Sequence, residues 1–280
     1  MAIKFTAASS QYITNTSPAI VNYPWSAGFW LNPQEVASTV YYFFLGEAAT
    51  NQGFYLNATS SDLKFFCYDF VDFPDATISG ALTANAWHYV LMRAINATNR
   101  RLSIIKPTGA LDHAQSTVDA TLLATATRMS LGAEDDNAAG AFSNSMIGEF
   151  FYTGTDIQGD GAETDPLLLR QLAYRGPGSI QRIKKDIIEY RSIRTHPTAG
   201  HRPDIYFGPR GPQAWANVGG ATIGPHPPHA QPWNRSYIRP GQSVGNRVAY
   251  VPDEPVAPSA SARAQRGGFI ANVGGLMGRF

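Results

Sequence analysis

Residues 86–93 read Ala-Trp-His-Tyr-Val-Leu-Met-Arg, and no other stretch restricts the fold as much. Side chains alternate across a strand, so Trp87, Tyr89 and Leu91 share one face and His88, Val90 and Met92 the other. Both faces are largely apolar. That pattern fits a central strand covered on both sides better than an edge with one wet face. Asn85-Ala86 leads in from a turn, Asn96-Ala-Thr-Asn99 leads out, and Arg101-Leu-Ser-Ile-Ile105 follows as a hairpin partner.

The same rhythm runs through the first half. Short strands are expected at 3–5, 11–13, 25–33, 40–45, 53–56 and 63–68, then at 129–132 and 146–152, with turn residues between them. Pro33 closes its strand because it has no N–H for the ladder. Phe65, Phe66, Tyr68, Phe70 and Phe73 form an aromatic cluster, read as a core or inter-sheet layer rather than a sugar platform. At 164–174 the period changes. Asp165 is an N-cap candidate, Pro166 stands at the first helical position and Gly176 lies past the end. A second helix is expected from Ser179, with Ile180, Ile183, Ile187 and Tyr190 on one stripe.

These strands carry a resemblance. Trp87-His88 with its hairpin is similar to the "WHHVA" strand of laminin-G-like, concanavalin-A-type jelly rolls. Phe5, Ser9, Ser10, Tyr12 and Ile13 match that family's opening, and Phe29, Trp30, Leu31 and Pro33 its next strand. Met129-Ser-Leu-Gly132 resembles the family's "Leu-x-Ile-Gly". Met146-Ile-Gly-Glu-Phe-Phe-Tyr152 resembles the closing strand, with Glu149 in the acidic place. The resemblance implies an all-β jelly-roll sandwich over 1–176 that ends in a short helix. It says little about chemistry, because this fold hosts lectins, adhesion modules, glycosidases and virion parts.

Beyond the body the composition shifts. Residues 1–190 hold 12 Lys+Arg and 18 Asp+Glu, a net −6; residues 191–280 hold 10 Arg, no Lys and 3 acids, a net +7. Twelve of the 19 prolines and 13 of the 26 glycines fall in 196–280. A helical connector is therefore expected over 177–195 and a long extended Pro/Gly-rich arm over 196–280 that needs a surface to lie on. Its anchors for partner docking are Tyr206, Phe207, Trp215, Trp233, Phe269, Leu276 and Phe280. Arg interleaved with Tyr and Trp suits protein interfaces, and a single Arg266-Gly-Gly-Phe269 unit is thin support for nucleic acid. Gly-Ala-Thr-Ile-Gly-Pro-His-Pro-Pro228 resembles the ending of many bacteriophage proteins with a laminin-G-like head.

Chemistry is sparse. Retaining glycosidases on this fold place two carboxylates on one strand face, and no Glu-x-Asp-x-x-Glu pattern occurs, so no catalytic residue is assigned. Asp135, Asp136 and Asn137 could offer oxygens to Ca²⁺ or a sugar on a loop rim, although a solvated acidic turn is the plainer reading. The proline-interrupted pairs His196/His201 and His226/His229 lack cysteine support for zinc, and no metal site is assigned. Cys67, the single cysteine, is expected to be a buried inert thiol. No apolar run approaches the ~20 residues of a membrane span. The expectation is a non-enzymatic virion protein of a bacteriophage, a capsid decoration, head-fibre or tail-associated component assembled in the host cytoplasm. It would be attached by its arm to other virion proteins or to copies of itself. The alternative is a carbohydrate-binding adhesion module.

Overall fold

The His88–Asn96 strand sits in the middle of a sheet, as its two apolar faces require. The structure, a computed structural model, describes residues 2–16, 18, 23–47, 52–68, 75–119, 126–135, 139–175, 187–190, 193–195, 203–205, 215–225 and 227. In chain order the strands are β1 (Ala2–Phe5), β2 (Tyr12–Asn15), β3 (Trp25–Pro33), β4 (Val40–Gly46), β5 (Gly53–Thr59), β6 (Asp62–Tyr68) and β7 (Asp75–Ile78). Next come β8 (His88–Asn96), β9 (Asn99–Ile105), β10 (Leu111–Ser116), β11 (Arg128–Leu131), β12 (Ser145–Thr153) and helix α1 (Pro166–Arg175). The last strands are β13 (Ile187–Tyr190), β14 (Ile193–Thr195), β15 (Pro203–Ile205), β16 (Trp215–Val218) and β17 (Thr222–Gly224).

Two antiparallel sheets form the expected jelly-roll sandwich. Sheet A runs β10-β9-β8-β3-β12-β1-β17, with β13 also on β12; sheet B runs β16-β2-β11-β4-β5-β6-β7. Val90 and Met92 of β8 enter the core between the sheets with Phe29, Phe43, Phe54, Phe65 and Phe150. Tyr89 and Leu91 face outward, where Leu169, Leu172 and Ala173 of α1 cover them together with Trp30 and Phe151. Trp30 Nε1 donates to the Ala173 carbonyl at 3.1 Å, tying sheet to helix. Burying Leu169 and Leu172 stabilises this contact by about 2 kcal/mol each. Asp165 caps α1: its Oδ1 accepts from Leu167 N–H at 2.8 Å. Cys67 is buried in the core and forms no disulfide.

Two expectations are corrected. The second helix does not extend through 187–190. Those residues are strand β13, pairing Phe151 with Tyr190 and Tyr152 with Glu189. The β12 edge continues past its partner β1 and offers a ladder there, which outweighs a short amphipathic stripe. Residues 180 and 183 of that stripe lie outside the described residues. The expected arm over 196–280 is not uniformly extended peptide. β14 and β15 form a two-stranded ribbon, with Arg194 opposite Asp204. β16 and β17 belong to the sandwich: β16 pairs with β2 in sheet B and β17 with β1 in sheet A. By its internal contacts the chain divides into Met1–Trp233 and Asn234–Phe280, and the second unit lies outside the described residues.

His88 faces the core side and is fully buried. Its Nε2 accepts from Thr83 N–H at 3.2 Å and its Nδ1–H donates to the Ala86 carbonyl at 2.9 Å, which fixes the neutral ring. Burial first, opposed by the backbone bonds to Ala86 and Leu31, pushes its pKa from 6.5 down to about 4. The unfolded chain therefore takes up the proton that the fold refuses. Stability is complete above pH 6.5 and falls as pH drops toward 4, by about 3 kcal/mol at the lower limit. Urea unfolding at pH 7 and pH 4 should show this loss in the native chain. His88→Gln should remove most of the difference, and an equal pH response in both would refute the assignment.

Candidate functional site

With α1 lying over sheet A, the outer face of sheet B is the side-chain array left to consider. Outward positions of three adjacent strands align in rows. Phe44, Tyr55 and Phe66 lie in register across β4, β5 and β6. Tyr55 and Phe66 stack with centroids 4.9 Å apart and planes at 7°. Phe44 tilts onto Tyr55 at 5.0 Å, and Tyr41 meets Tyr55 edge-on at 5.7 Å. Tyr41 and Tyr68 are half-buried against this stack. The next row is polar: Tyr41 lies opposite Asn57, Asn57 opposite Lys64 and Lys64 opposite Thr77. Asn57 is only 7% exposed, and its Oδ1 has no hydrogen-bond partner among the described residues. Phe44, Tyr55 and Phe66 are themselves 0%, 2% and 8% exposed, so the stack is a covered layer. The accessible part of this face is half-buried Tyr41, Tyr68, Lys64 and Thr77, where aromatic edges beside an ammonium and a hydroxyl can hold a ligand with one apolar and one polar side. Of the expected aromatic cluster, Phe65 goes to the core and Phe66 and Tyr68 to this outer face, while Phe70 and Phe73 lie outside the described residues.

The expected calcium and sugar rim is placed differently. Asp135 is 1% exposed. Its Oδ2 accepts from Thr14 Oγ1 at 2.7 Å and its Oδ1 from Arg128 Nη1 at 2.9 Å. Both carboxylate oxygens hold Asp135 against Thr14 of β2 and Arg128 of β11. Phe142 lies against Tyr12 at 5.9 Å, and Ser130 Oγ donates to the Ala133 carbonyl. Asp136 and Asn137 lie outside the described residues. Among the described residues, no three His, Cys, Asp or Glu side chains gather as a metal site.

One arrangement has the residue types of acyl-transfer chemistry. His113 Nδ1 lies 2.9 Å from Ser103 Oγ, and its Nε2 lies 3.9 Å from Glu163. Ser103 is 1% exposed, however, and its hydroxyl donates to Thr164 Oγ1 at 2.9 Å. An enclosed hydroxyl whose proton is directed elsewhere is not a presented nucleophile. The group joins β9, β10 and the loop that leads into α1.

The docking anchors fare unevenly. Trp215 opens β16, paired with Asn15. Tyr206, Phe207, Trp233, Phe269, Leu276 and Phe280 lie outside the described residues. The root of the C-terminal region, by contrast, is firmly built. Val218-Gly-Gly-Ala221 turns between the sheets with Gly219 at φ +71° and Gly220 at +73°, angles that favour glycine. Gln11 Nε2, from the turn between β1 and β2, donates to the carbonyls of Gly219 and Gly220 at 3.1 and 3.2 Å. Asn217 Oδ1 accepts from Ala221 N–H at 2.9 Å and its Nδ2 donates to the Ala221 carbonyl. Pro227 then lies on Gly148, where a Cβ would stand 3.1 Å from the proline ring.

No family model matches the sequence, and no curated protein matches it. Solved structures of similar fold include the heptameric SAP-like pentraxin from Limulus polyphemus, at 11% identity over 77% of this chain and 93% of that one, with a TM-score of 0.46. The LG4-5 domains of the mouse laminin α1 chain are 15% identical over 55% of this chain and 42% of that one, with a TM-score of 0.41. A NanB sialidase from Streptococcus pneumoniae is 11% identical over 60% of this chain and 27% of that one, with a TM-score of 0.48. The chain thus spans nearly the whole pentraxin but less than half of the laminin and sialidase chains. These are likenesses of fold.

Proposed function

We propose that the protein is a non-enzymatic structural component of a virion, displaying its jelly roll and attached through its C-terminal region. The observation that carries this reading is the root at 215–227. The chain adds one strand to each sheet and seats Pro227 on Gly148 before its basic, aromatic final segment begins. A segment fixed at its base and carrying six Arg, two Tyr and one Trp suits attachment to another protein, where those residue types dominate binding energy. Within that segment Trp233, Phe269, Leu276 and Phe280 are the proposed anchors. Trp215 is instead part of the root. Particles assembled without the protein, mixed with purified chain and sedimented, are expected to take up the full chain but not one ending at Trp233. Equal uptake of the two would overturn the reading.

A second reading is favoured by the outer face of sheet B, where half-buried Tyr41 and Tyr68 adjoin the row of Asn57 and Lys64. There the protein binds a glycan. In the same series a glycan array probed with the full chain separates the two. Binding abolished by Asn57→Ala with uptake unaffected supports a glycan face, and no signal on any glycan counts against it.

A further inference from the structure

Arg93, on the outward side of β8, is 0% exposed, and loop 154–165 is wrapped around its guanidinium. Nε donates to Asp156 Oδ1 at 2.7 Å and Nη2 to Asp156 Oδ2 at 2.9 Å, a bidentate pair. Nη1 donates to the Ala162 carbonyl at 2.8 Å and to Thr164 Oγ1 at 3.2 Å. The loop is also bonded to itself. Asp156 accepts from the N–H groups of Gly159 and Gly161 at 3.1 Å each. Asp160 Oδ1 accepts from Ala162 N–H and from Gln158 Nε2 at 2.9 Å. Gly161 takes φ +67°, which lets the chain turn sharply there.

The spacing of these groups matters. Counting Asp156 as the first position, oxygen-bearing side chains fall at the first, third and fifth residues: Asp156, Gln158 and Asp160. A glycine follows at the sixth, a backbone carbonyl aimed inward at the seventh (Ala162) and a hydroxyl at the ninth (Thr164). Calcium loops use this order of oxygens around a sixth-position glycine. Two departures stand out: Gln158 replaces an acid, and Leu167 occupies the twelfth position, where such loops have glutamate. The first, seventh and ninth positions nevertheless converge here on one cation, a guanidinium.

We propose that residues 156–164 are a cation-wrapping loop whose resident cation is the Arg93 guanidinium, and that removing this guanidinium exposes a site for Ca²⁺. A buried charge must have its hydrogen bonds met, and Nε, Nη1 and Nη2 of Arg93 all find acceptors here. An arginine keeps its charge at every working pH and, being part of the chain, cannot be diluted or chelated away. Burial alone would raise the Asp156 pKa, but its bonds from Arg93 and the loop N–H groups outweigh this and hold it below the usual value. The lock thereby joins β8 to the loop that carries buried Ile157 and the cap of α1.

The test uses the full-length chain with Arg93→Ala and Arg93→Met, the second keeping most of the apolar stem. Melting is followed in EDTA and in about 5 mM CaCl₂, near the weak end of calcium-loop affinities. The native chain should melt at the same temperature in both. Each variant should melt about 10 °C lower in EDTA and recover at least half of that loss with calcium. Adding Asp160→Ala, which removes the fifth-position oxygen, should abolish the recovery, and titration calorimetry should show a bound Ca²⁺ that disappears with it. If a variant is insoluble, refolding by dilution with and without calcium replaces the melt, and soluble chain only with calcium supports the proposal. Absence of calcium rescue in both variants, by melt or by refolding, overturns it. So does calcium binding by the native chain that Asp160→Ala removes.

Discussion

Trp25→Ala is expected to cost about 3–5 kcal/mol of stability, as large aromatic deletions in a close-packed core do. Trp25 opens β3 and is 1% exposed. Its ring meets Phe54 edge-on at 4.9 Å and Phe65 at 5.7 Å, and tilts against Phe43 at 6.0 Å and Tyr152 at 5.7 Å. One side chain therefore touches rings from β4, β5 and β6 of sheet B and from β12 of sheet A. The neighbours are held by two ladders and cannot collapse far into the space left behind. Trp25→Phe should lose less than half as much. It keeps a ring in place and deletes an indole N–H that has no hydrogen-bond partner among the described residues. Urea unfolding of the three chains decides the matter: an alanine variant within 1 kcal/mol of the native chain, a loss smaller than any expected for such a site, would show that the ring does not join the sheets.

How much of this could be read beforehand depended on where each strand lies. Strands 25–33 and 88–96 were legible because both of their faces are buried, so their apolar runs are long and unambiguous. The capped helix at 166–175 was legible from Asp165 and Pro166. β7 and β10 are edge strands. Among the described residues, Asp75-Ala-Thr-Ile78 and Leu111-Asp-His-Ala-Gln-Ser116 each have a partner on one side only, and polar residues there discourage further pairing. At 187–190, Ile and Tyr fit a helical stripe and a strand equally well, and the free edge of β12 decides. The aromatic stack of Phe44 and Tyr55 was there to be found in the alternation of 40–46 and 53–59, but periodicity alone does not say which face of a sheet lies inward. Contacts distant in sequence were not legible at all. Thr14 reaches Asp135 across 121 positions and Arg93 reaches Asp156 across 63. The acidic turn itself does not show that Thr14 and Arg128 take both oxygens of Asp135.

The root of the C-terminal region yields the other large effect. A chain ending at residue 213 lacks β16 and β17; a chain ending at Trp233 keeps them. The longer one should melt within about 2 °C of the full-length protein, because the unit Met1–Trp233 contains the whole sandwich. The shorter one should melt about 10 °C lower or more, since seven ladder positions are lost at roughly 1 kcal/mol per hydrogen bond before the ordering entropy is returned. The loss falls on both sheets at once, because β16 flanks β2 and β17 flanks β1. It also bares the edges of β1 and β2, and open edges promote aggregation, so the shorter chain should associate as it unfolds. Calorimetry with light scattering measures both effects. Val218-Gly-Gly-Ala221 is a turn signal between two apolar-leaning segments, yet it lies in a region whose proline and glycine content argues for extended peptide. Composition averages over tens of residues, whereas a strand of three or four needs only a free edge beside it. Equal melting of the two shorter chains would mean that the sandwich closes without this arch, and the attachment segment would then begin upstream of Trp215.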